Sequence, residues 1–254
     1  MKTATFRERM LAGDKMAGTF VKSPSHEIIE VLAMSGLDFV CLDSEHSPFD
    51  RMAMDACLAI ARALDFPVLV RVASGSNENI LQALDSGAVG VVVPHVIDAA
   101  RAAQVARAAR FGLHGRGYAG FTRWAGFATR PMPDVLEQSK NETLVLAQIE
   151  EPEGVDAASE IAAVPGIDAL FLGPSDLSVG YGKTDTNSPE LKAAFKTVGM
   201  AAKANGKALV TFVPNAEKAA EWSKYGVSVF FVGSEQSWIL QGAKAVASGI
   251  HKLD

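Results

Sequence analysis

The sequence contains only two cysteines among its 254 residues. Cys41 falls in a predicted buried strand and Cys57 in a predicted helix, so neither a disulfide framework nor a cysteine-based zinc cluster is indicated. Positive charge is not in excess either, because the formal net charge is -5 at pH 7. Nucleic acids and anionic membranes are bound by basic surfaces, so this balance argues against both kinds of partner.

Long apolar segments are also missing. No stretch approaches the roughly 20 apolar residues that cross a bilayer, and residues 1–14 are charged throughout, without the apolar run of a signal peptide. We therefore expect a cytoplasmic protein. Hydrophobic residues make up 48% of the sequence and charged residues 21%, which is typical of a globular protein with a substantial core. The length suits one large domain over residues 1–254.

Short apolar runs rich in β-branched residues alternate with helical patterns along the chain. The runs are 18–21, 39–43, 67–72, 90–94, 144–150, 169–173, 208–213 and 229–233. Amphipathic segments between them include 51–64, 77–86, 99–110, 189–204 and 216–225. Continuous apolar runs are typical of parallel strands buried on both faces. Eight strand–helix units predict an α/β protein with the (β/α)8 barrel architecture.

The segment 111–141 interrupts this alternation between the fourth and fifth predicted strands. It is rich in glycine and arginine, and a connection of this length usually forms a lid or a binding segment. Its last part, 133–139, is expected to be helical, with Asp134 near the start.

In a barrel of this kind the functional residues follow the carboxyl ends of the strands. The fifth strand ends in Gln148-Ile149-Glu150, which places Gln148 and Glu150 on the same inward side. The sixth ends in Gly173-Pro174-Ser175-Asp176. Carboxylates such as Glu150 and Asp176, without histidine or cysteine nearby, suit a hard cation such as Mg²⁺ or Mn²⁺. The alternative is that each carboxylate only caps a following helix.

Three other strand ends carry candidate residues. His46 follows the second strand and could act as a general acid or base, and His95 is a rival after the fourth. Arg71 ends the third strand, where anion recognition is a good reason for a buried cation. Asp85 lies near the end of a predicted helix, where a negative charge opposes the helix dipole and suggests a partner, such as an imidazole.

Two further features bear on the class of chemistry. The turn at Pro174–Asp176 leads into a helix, and its amides could hold a carboxylate. Schiff-base aldolases also use barrels, but the sixth strand contains no lysine, and only Lys22 lies near a strand end where it could compete.

Together these segments resemble the HpcH/HpaI aldolase family over nearly the whole chain. The resemblance rests on LDSEHSP at 42–48, VRV at 70–72, LQALDSGA at 81–88, QIE at 148–150 and GPSDLS at 173–178. It implies a metal-dependent (class II) aldolase that joins or cleaves a 2-oxo acid donor, of the pyruvate or hydroxypyruvate type, and an aldehyde. A divalent cation (Mg²⁺, Mn²⁺ or Co²⁺) and Arg71 would stabilise the enolate.

The resemblance also implies roles for individual residues. Glu150 and Asp176 would bind the metal, with Asp43 and Glu45 close to it through water. His46 would be the catalytic base, paired with Asp85, which can come from a neighbouring subunit.

The remaining implied roles concern the substrate and the assembly. Arg71 and Gln148 would contact the 2-oxo acid, and the backbone at Pro174, Ser175 and Asp176 its carboxylate. The protein would be a homo-oligomer, commonly a hexamer, with a C-terminal helix around Trp238 to Leu240 exchanged between subunits.

The chain departs from the family pattern at two places. Phe20 stands where many members have tryptophan, and Gly233-Ser234-Glu235-Gln236 replaces a Gly-Val-Asp pattern. These departures bear on the acceptor aldehyde and the subunit contact. Two other functions stay open: a lyase acting on a CoA thioester, as in the citrate-lyase β-subunit and malyl-CoA lyase group, and a non-catalytic binding protein.

Overall fold

The computed structural model describes residues 2–253, which form a closed barrel of eight parallel strands paired in chain order, β1 to β8 and back to β1. The strands are β1 Met16–Val21, β2 Phe39–Asp43, β3 Val68–Arg71, β4 Gly90–Val93, β5 Leu144–Ile149, β6 Ala169–Leu172, β7 Ala208–Val213 and β8 Val229–Ser234. The predicted (β/α)8 barrel is confirmed.

Helices surround the barrel and connect its strands. They are α1 Lys2–Ala12, α2 His26–Ala33, α3 Arg51–Ala63, α4 Asn77–Ser86, α5 Ala99–Ala108, α6 Met132–Glu142, α7 Pro152–Asp156, α8 Ala158–Ala163, α9 Pro174–Gly180, α10 Pro189–Ala204, α11 Ala216–Trp222 and α12 Glu235–Ile250. A short 3-10 turn, Ser223–Tyr225, precedes β8. Among residues 2–253, no helix is both long and apolar enough to cross a membrane.

The core has two layers, separated by the wall of the barrel. Residues that alternate along each strand belong to different layers: Leu144 and Leu146 of β5 pack inside the barrel, whereas Val145 and Ala147 pack outward against the helices. This period of two extends to the strand ends. Side chains at Gln148 and Glu150 therefore follow the inward row, as the sequence predicted.

Phenylalanine rings fill the barrel interior. Phe231 lies 4.9 Å, between ring centroids, from each of Phe20, Phe39 and Phe171. A Cβ at Gly18 would lie 2.4 Å from the ring of Phe39, so glycine is needed there for the ring to enter. Burying one such ring stabilises the fold by about 1.5–3 kcal/mol. The filled interior gives the carboxyl ends of the strands a rigid base.

Helix α1 lies at the amino-terminal end of the barrel. Its Phe6 and Met10 are fully buried and join the interior cluster, and the ring of Phe6 lies 5.4 Å from that of Phe39. The sequence did not predict this helix. The barrel is thus covered at one end by α1, and access to its interior residues is from the other end.

Candidate active site

The carboxyl end of β2 carries a fully buried aspartate, Asp43, beside Arg71 at the end of β3. Arg71 donates from Nε to Asp43 Oδ1 at 2.9 Å and from Nη2 to Oδ2 at 2.7 Å. Lys22 Nζ donates to Oδ2 at 2.8 Å. Burial would raise the pKa of Asp43, but Arg71 and Lys22 outweigh it and hold that pKa at about 2. Asp43 therefore stays ionised and fixes both cations.

The same aspartate orders the turn that carries the predicted base. The backbone amides of Glu45 and His46 donate to Asp43 Oδ1 at 3.2 and 3.1 Å. The His46 side chain is 58% exposed, and its Nε2 lies 3.8 Å from Glu45 Oε2. The imidazole is thus held near the strand ends by its backbone while its ring stays open to solvent.

Ligand atoms of Glu45, His95 and Glu150 converge, all within 4.8 Å of one another. Glu150 is buried and follows β5. Its Oε1 accepts the His95 amide at 2.9 Å, and its Oε2 accepts the Gln148 side-chain amide. Burial raises the pKa of Glu150, against the effect of these two hydrogen bonds. A buried carboxylate with a raised pKa is stabilised in its ionised form by a cation.

The backbone of His95 has a φ of 57°, in the left-handed region. This conformation costs roughly 1–3 kcal/mol for a residue other than glycine and persists where the surroundings enforce it. It directs the His95 amide at Glu150, while the ring Nδ1 lies 2.5 Å from Glu151 Oε1. Partial burial would lower the pKa of His95, but the Glu151 hydrogen bond and the adjacent carboxylates outweigh it and raise that pKa.

Three buried carboxylate or amide oxygens in or beside this group lack a hydrogen-bond donor among the described residues: Gln148 Oε1, Glu45 Oε2 and Glu151 Oε2. The second lies 3.3 Å from Arg71 Nε without the geometry of a hydrogen bond. An unsatisfied buried polar atom costs about 1–3 kcal/mol. Carboxylate and amide oxygens suit Mg²⁺ or Mn²⁺, and an imidazole adds a ligand suited to softer ions such as Co²⁺. The donor set therefore fits a divalent cation.

Asp176 lies in the first turn of α9, is exposed, and is not part of this converging group. It lines a cavity of about 210 Å³ together with Lys22, His46, Arg71 and Gln148. A Cβ at Gly173 would lie 3.0 Å from Glu150 Cβ and 3.2 Å from its Oε2. The glycine thus gives Glu150 room beside the turn that carries Asp176.

The structure disfavours the helix-cap alternative for Glu150. Glu151, not Glu150, precedes α7, and its side chain makes no capping hydrogen bond. The residue preceding α9 is Gly173, not Asp176. Neither carboxylate is therefore used as a cap.

Asp85, near the end of α4, has a guanidinium as its partner within this chain. Arg116 donates to Asp85 Oδ1 from Nε at 2.9 Å and from Nη2 at 2.5 Å, and the Arg116 side chain is fully buried. Its guanidinium lies 4.3 Å from the ring of Phe111. This pair anchors the long segment before α6; the predicted pairing of Asp85 with His46 across subunits stays a prediction.

Sequence reasoning missed Glu151 and gave His95 a different role. Glu151 contacts His95, and His95 itself belongs to the converging group, although the sequence suggested it only as a rival base. Two adjacent glutamates, Glu150 and Glu151, follow β5, and this pair could have indicated a concentration of carboxylates at the end of that strand. The left-handed backbone at His95 had no such signal.

Lys22, the one lysine considered for Schiff-base chemistry, is engaged by Asp43 at 2.8 Å. Its Nζ is therefore part of a charged pair instead of being a free amine nucleophile.

The chain is similar to known proteins over most of its length. The family model described as HpcH/HpaI aldolase/citrate lyase matches residues 16–241. A hydroxypyruvate/pyruvate aldolase of Delftia acidovorans is 33% identical over 247 residues, which cover 94% of this chain and 90% of that protein. A 5-keto-4-deoxy-D-glucarate aldolase of Enterobacter sp. (strain 638) is 30% identical over 97% of this chain and 96% of its own.

Among solved structures, a protein of the same family from Burkholderia cenocepacia J2315 superposes with a TM-score of 0.92 at 29% identity. The match covers 98% of this chain and all of that one.

Proposed function

Because this chain belongs to the HpcH/HpaI aldolase/citrate lyase family, we propose that it is a divalent-metal-dependent aldolase acting on a 2-oxo acid donor and an aldehyde. The observation that carries the proposal is the convergence of Glu45, His95 and Glu150 beside Arg71 and an open cavity. Pyruvate or hydroxypyruvate is the proposed donor, in line with the name of the Delftia relative. We expect this chemistry to take place in the cytoplasm.

In this proposal Glu150 and Asp176 hold the cation, with Glu45, Asp43 and the His95 imidazole close to it, and Mg²⁺, Mn²⁺ and Co²⁺ are the candidates. When bound, the cation supplies Lewis-acid stabilisation of the negative charge that develops on the 2-oxo acid. The converging group makes Glu45 a second candidate for a direct ligand, because one of its oxygens lies within 4.8 Å of ligand atoms of His95 and Glu150.

Arg71 is suited to bind the 2-oxo acid. Asp43 occupies its Nε and Nη2, and Nη1 makes no hydrogen bond to a described residue, so it can donate to a substrate oxygen in the cavity. Gln148 and the turn at Pro174 and Ser175 would contact the carboxylate end. The guanidinium then adds to charge stabilisation as the enolate forms.

His46 is the proposed acid–base group, assisted by Asp85 of a neighbouring subunit. In cleavage, His46 takes the proton of the substrate's 4-hydroxyl while the C3–C4 bond breaks. The electron pair of that bond passes to C3 and is delocalised over the 2-oxo group. The aldehyde leaves, and a proton added at C3 completes the 2-oxo acid product. Addition follows the same steps in reverse.

The CoA-thioester alternative depends on basic residues of the long segment before α6. Arg116 is held by Asp85, Arg123 by Asp55 at 2.8 Å and Arg130 by Gln138. All three arginines thus already have a hydrogen-bond partner within the chain. The non-catalytic alternative leaves the three unpaired buried oxygens of Glu45, Gln148 and Glu151 unexplained.

The test is a product assay on 4-hydroxy-2-oxo acids in the presence of Mn²⁺ or Mg²⁺. We expect 2-oxo acid and aldehyde to appear in equal amounts, since one C–C bond is cleaved per turnover. Malyl-CoA supplied under the same conditions is the control for the alternative. Release of acetyl-CoA and glyoxylate from malyl-CoA, without cleavage of the hydroxy-oxo acids, would refute the proposal.

We further propose that the enzyme is an oligomer, a hexamer by family resemblance, with α12 packed against another copy. Ile239, Leu240, Val246 and Ile250 are all more than half exposed, and apolar residues exposed together on one helix suit an interface. We expect light scattering to give a mass several times the 26.8 kDa of the chain. Ile239→Glu with Leu240→Glu should dissociate it. A fully active wild-type monomer would contradict the expectation.

A further inference from the structure

A large cleft opens at the opposite end of the barrel from the candidate active site. Its volume is about 710 Å³. It lies between the end of α1, the outer face of α10 and the 3-10 turn. Its lining also includes the start of β7 and Ser228, the residue before β8. Because parallel strands place all their amino ends together, residues here are separated from the candidate active site by the length of the filled barrel.

Five lysines line this cleft, and none of its described lining residues is acidic. They are Lys15, Lys196, Lys203, Lys207 and Lys224. The protein as a whole carries a formal net charge of -5, so the cleft is a cluster of positive side chains on a protein with a negative net charge. Like charges gathered around a concave surface repel one another and focus a positive potential that attracts anions. We call this feature the basal lysine cleft.

The lysines are held on different elements of the fold. Lys15 Nζ donates to the carbonyl of Val227 at 2.6 Å, and Lys207 Nζ to that of Ile167 at 2.7 Å. Lys196 and Lys203 are seven positions apart on α10 and so share one face of the helix. Backbone carbonyls satisfy hydrogen bonds without neutralising charge. The first two ammonium groups are therefore fixed in place and remain cationic.

Acidic residues near this end of the barrel have other partners. Asp168 is paired with Arg7 at 2.7 Å and Arg110 at 3.1 Å, and Glu221 with Lys218 at 2.7 Å. The side chains of Lys196, Lys203 and Lys224 make no hydrogen bond or ion pair with a described residue. Besides the Lys218 hydrogen bond, the charge of Lys224 helps to lower the pKa of Glu221 without a hydrogen bond between Lys224 and Glu221, so most but not all of the charge of the cleft is left without an adjacent carboxylate.

We propose that the basal lysine cleft binds a small organic phosphate that carries at least two phosphoryl groups. Several ammonium groups around one cavity match several phosphate charges, and lysine binds phosphate as a point charge. Met10, Leu11 and Met200 contribute apolar surface to the same cleft, which suits an organic part beside the phosphates. The volume is within the range of about 300–1,000 Å³ of small-molecule sites.

Isothermal titration of the intact protein with ADP and with pyrophosphate tests the proposal, at a fixed ionic strength. We expect saturable 1:1 binding per chain that pyruvate does not displace, because the candidate active site is at the other end of the barrel. The triple variant Lys196→Gln, Lys203→Gln, Lys224→Gln should bind ADP at least about tenfold more weakly. These side chains are exposed, so the variant should fold normally.

A second triple variant, Lys2→Gln, Lys140→Gln, Lys183→Gln, loses the same charge at surface positions outside both the cleft and α12 and should retain wild-type affinity. Sulfate at equal ionic strength should not compete. Three results would overturn the proposal: no binding of either phosphate compound, equal loss of affinity in both triple variants, or displacement by pyruvate or sulfate. Each of these is independent of whether the aldolase assay succeeds.

Discussion

Removal of divalent ions should abolish aldol cleavage, and Glu150→Gln should lower kcat/KM by about a thousandfold even with excess metal. A catalytic cation stabilises the transition state by several kcal/mol. A loss of about 4 kcal/mol corresponds to a rate lower by about three orders of magnitude. Glutamine keeps an oxygen that can accept the His95 amide, which Glu150 Oε1 now accepts at 2.9 Å. The substitution therefore removes charge with little change in shape.

Glu151→Gln is the matched control, because Glu151 is the next residue and contacts His95 but is outside the converging group. It should retain most activity and near-normal Mn²⁺ affinity in a titration. Asp176→Asn should weaken Mn²⁺ binding if it is the second ligand, and Glu45→Gln should do so more strongly if Glu45 coordinates directly. Full activity of Glu150→Gln, or of chelated wild-type enzyme, would contradict the metal assignment.

The barrel could be predicted from the sequence because its strands are buried on both faces. Each predicted strand is within two residues of the observed one at both ends, since a continuous apolar run marks such a strand directly. Helix α1 was not predicted, because Phe6 and Met10 are its only buried residues among charged neighbours. Two buried side chains do not make a recognisable apolar stripe, and their burial depends on the open end of the finished barrel.

The candidate site was partly predictable for the same reason. The period of two along β5 places Gln148 and Glu150 inward, and the neighbouring positions of Asp43 and Arg71 follow from the order of β2 and β3. Loop conformation was not predictable. His95 reaches Glu150 through a left-handed residue, and Arg116 reaches Asp85 across 31 positions of sequence. Neither contact has a local pattern that would indicate it.

The substitution His46→Ala should lower kcat by roughly two to four orders of magnitude, the usual effect of losing a general acid–base group. Metal affinity should change little, because His46 is outside the converging group of Glu45, His95 and Glu150 and its ring lies 3.8 Å from Glu45 Oε2. The backbone amide of His46, which donates to Asp43, is kept in the alanine variant. The turn and the Asp43–Arg71 pair should therefore stay in place.

The role of His46 can be decided by comparing His46→Ala with His95→Ala. Kinetics and Mn²⁺ titration are measured for both variants. His95→Ala should weaken Mn²⁺ binding more than it slows turnover at saturating metal, because its Nδ1 lies 3.3 Å from Glu150 Oε1. His26→Ala, on the exposed start of α2, should behave as wild type in both measurements. A near-normal kcat for His46→Ala would make His46 structural and leave His95 as the base. Loss of Mn²⁺ binding in His46→Ala would instead make its imidazole a ligand, which disagrees with the position of His46 outside the group formed by Glu45, His95 and Glu150.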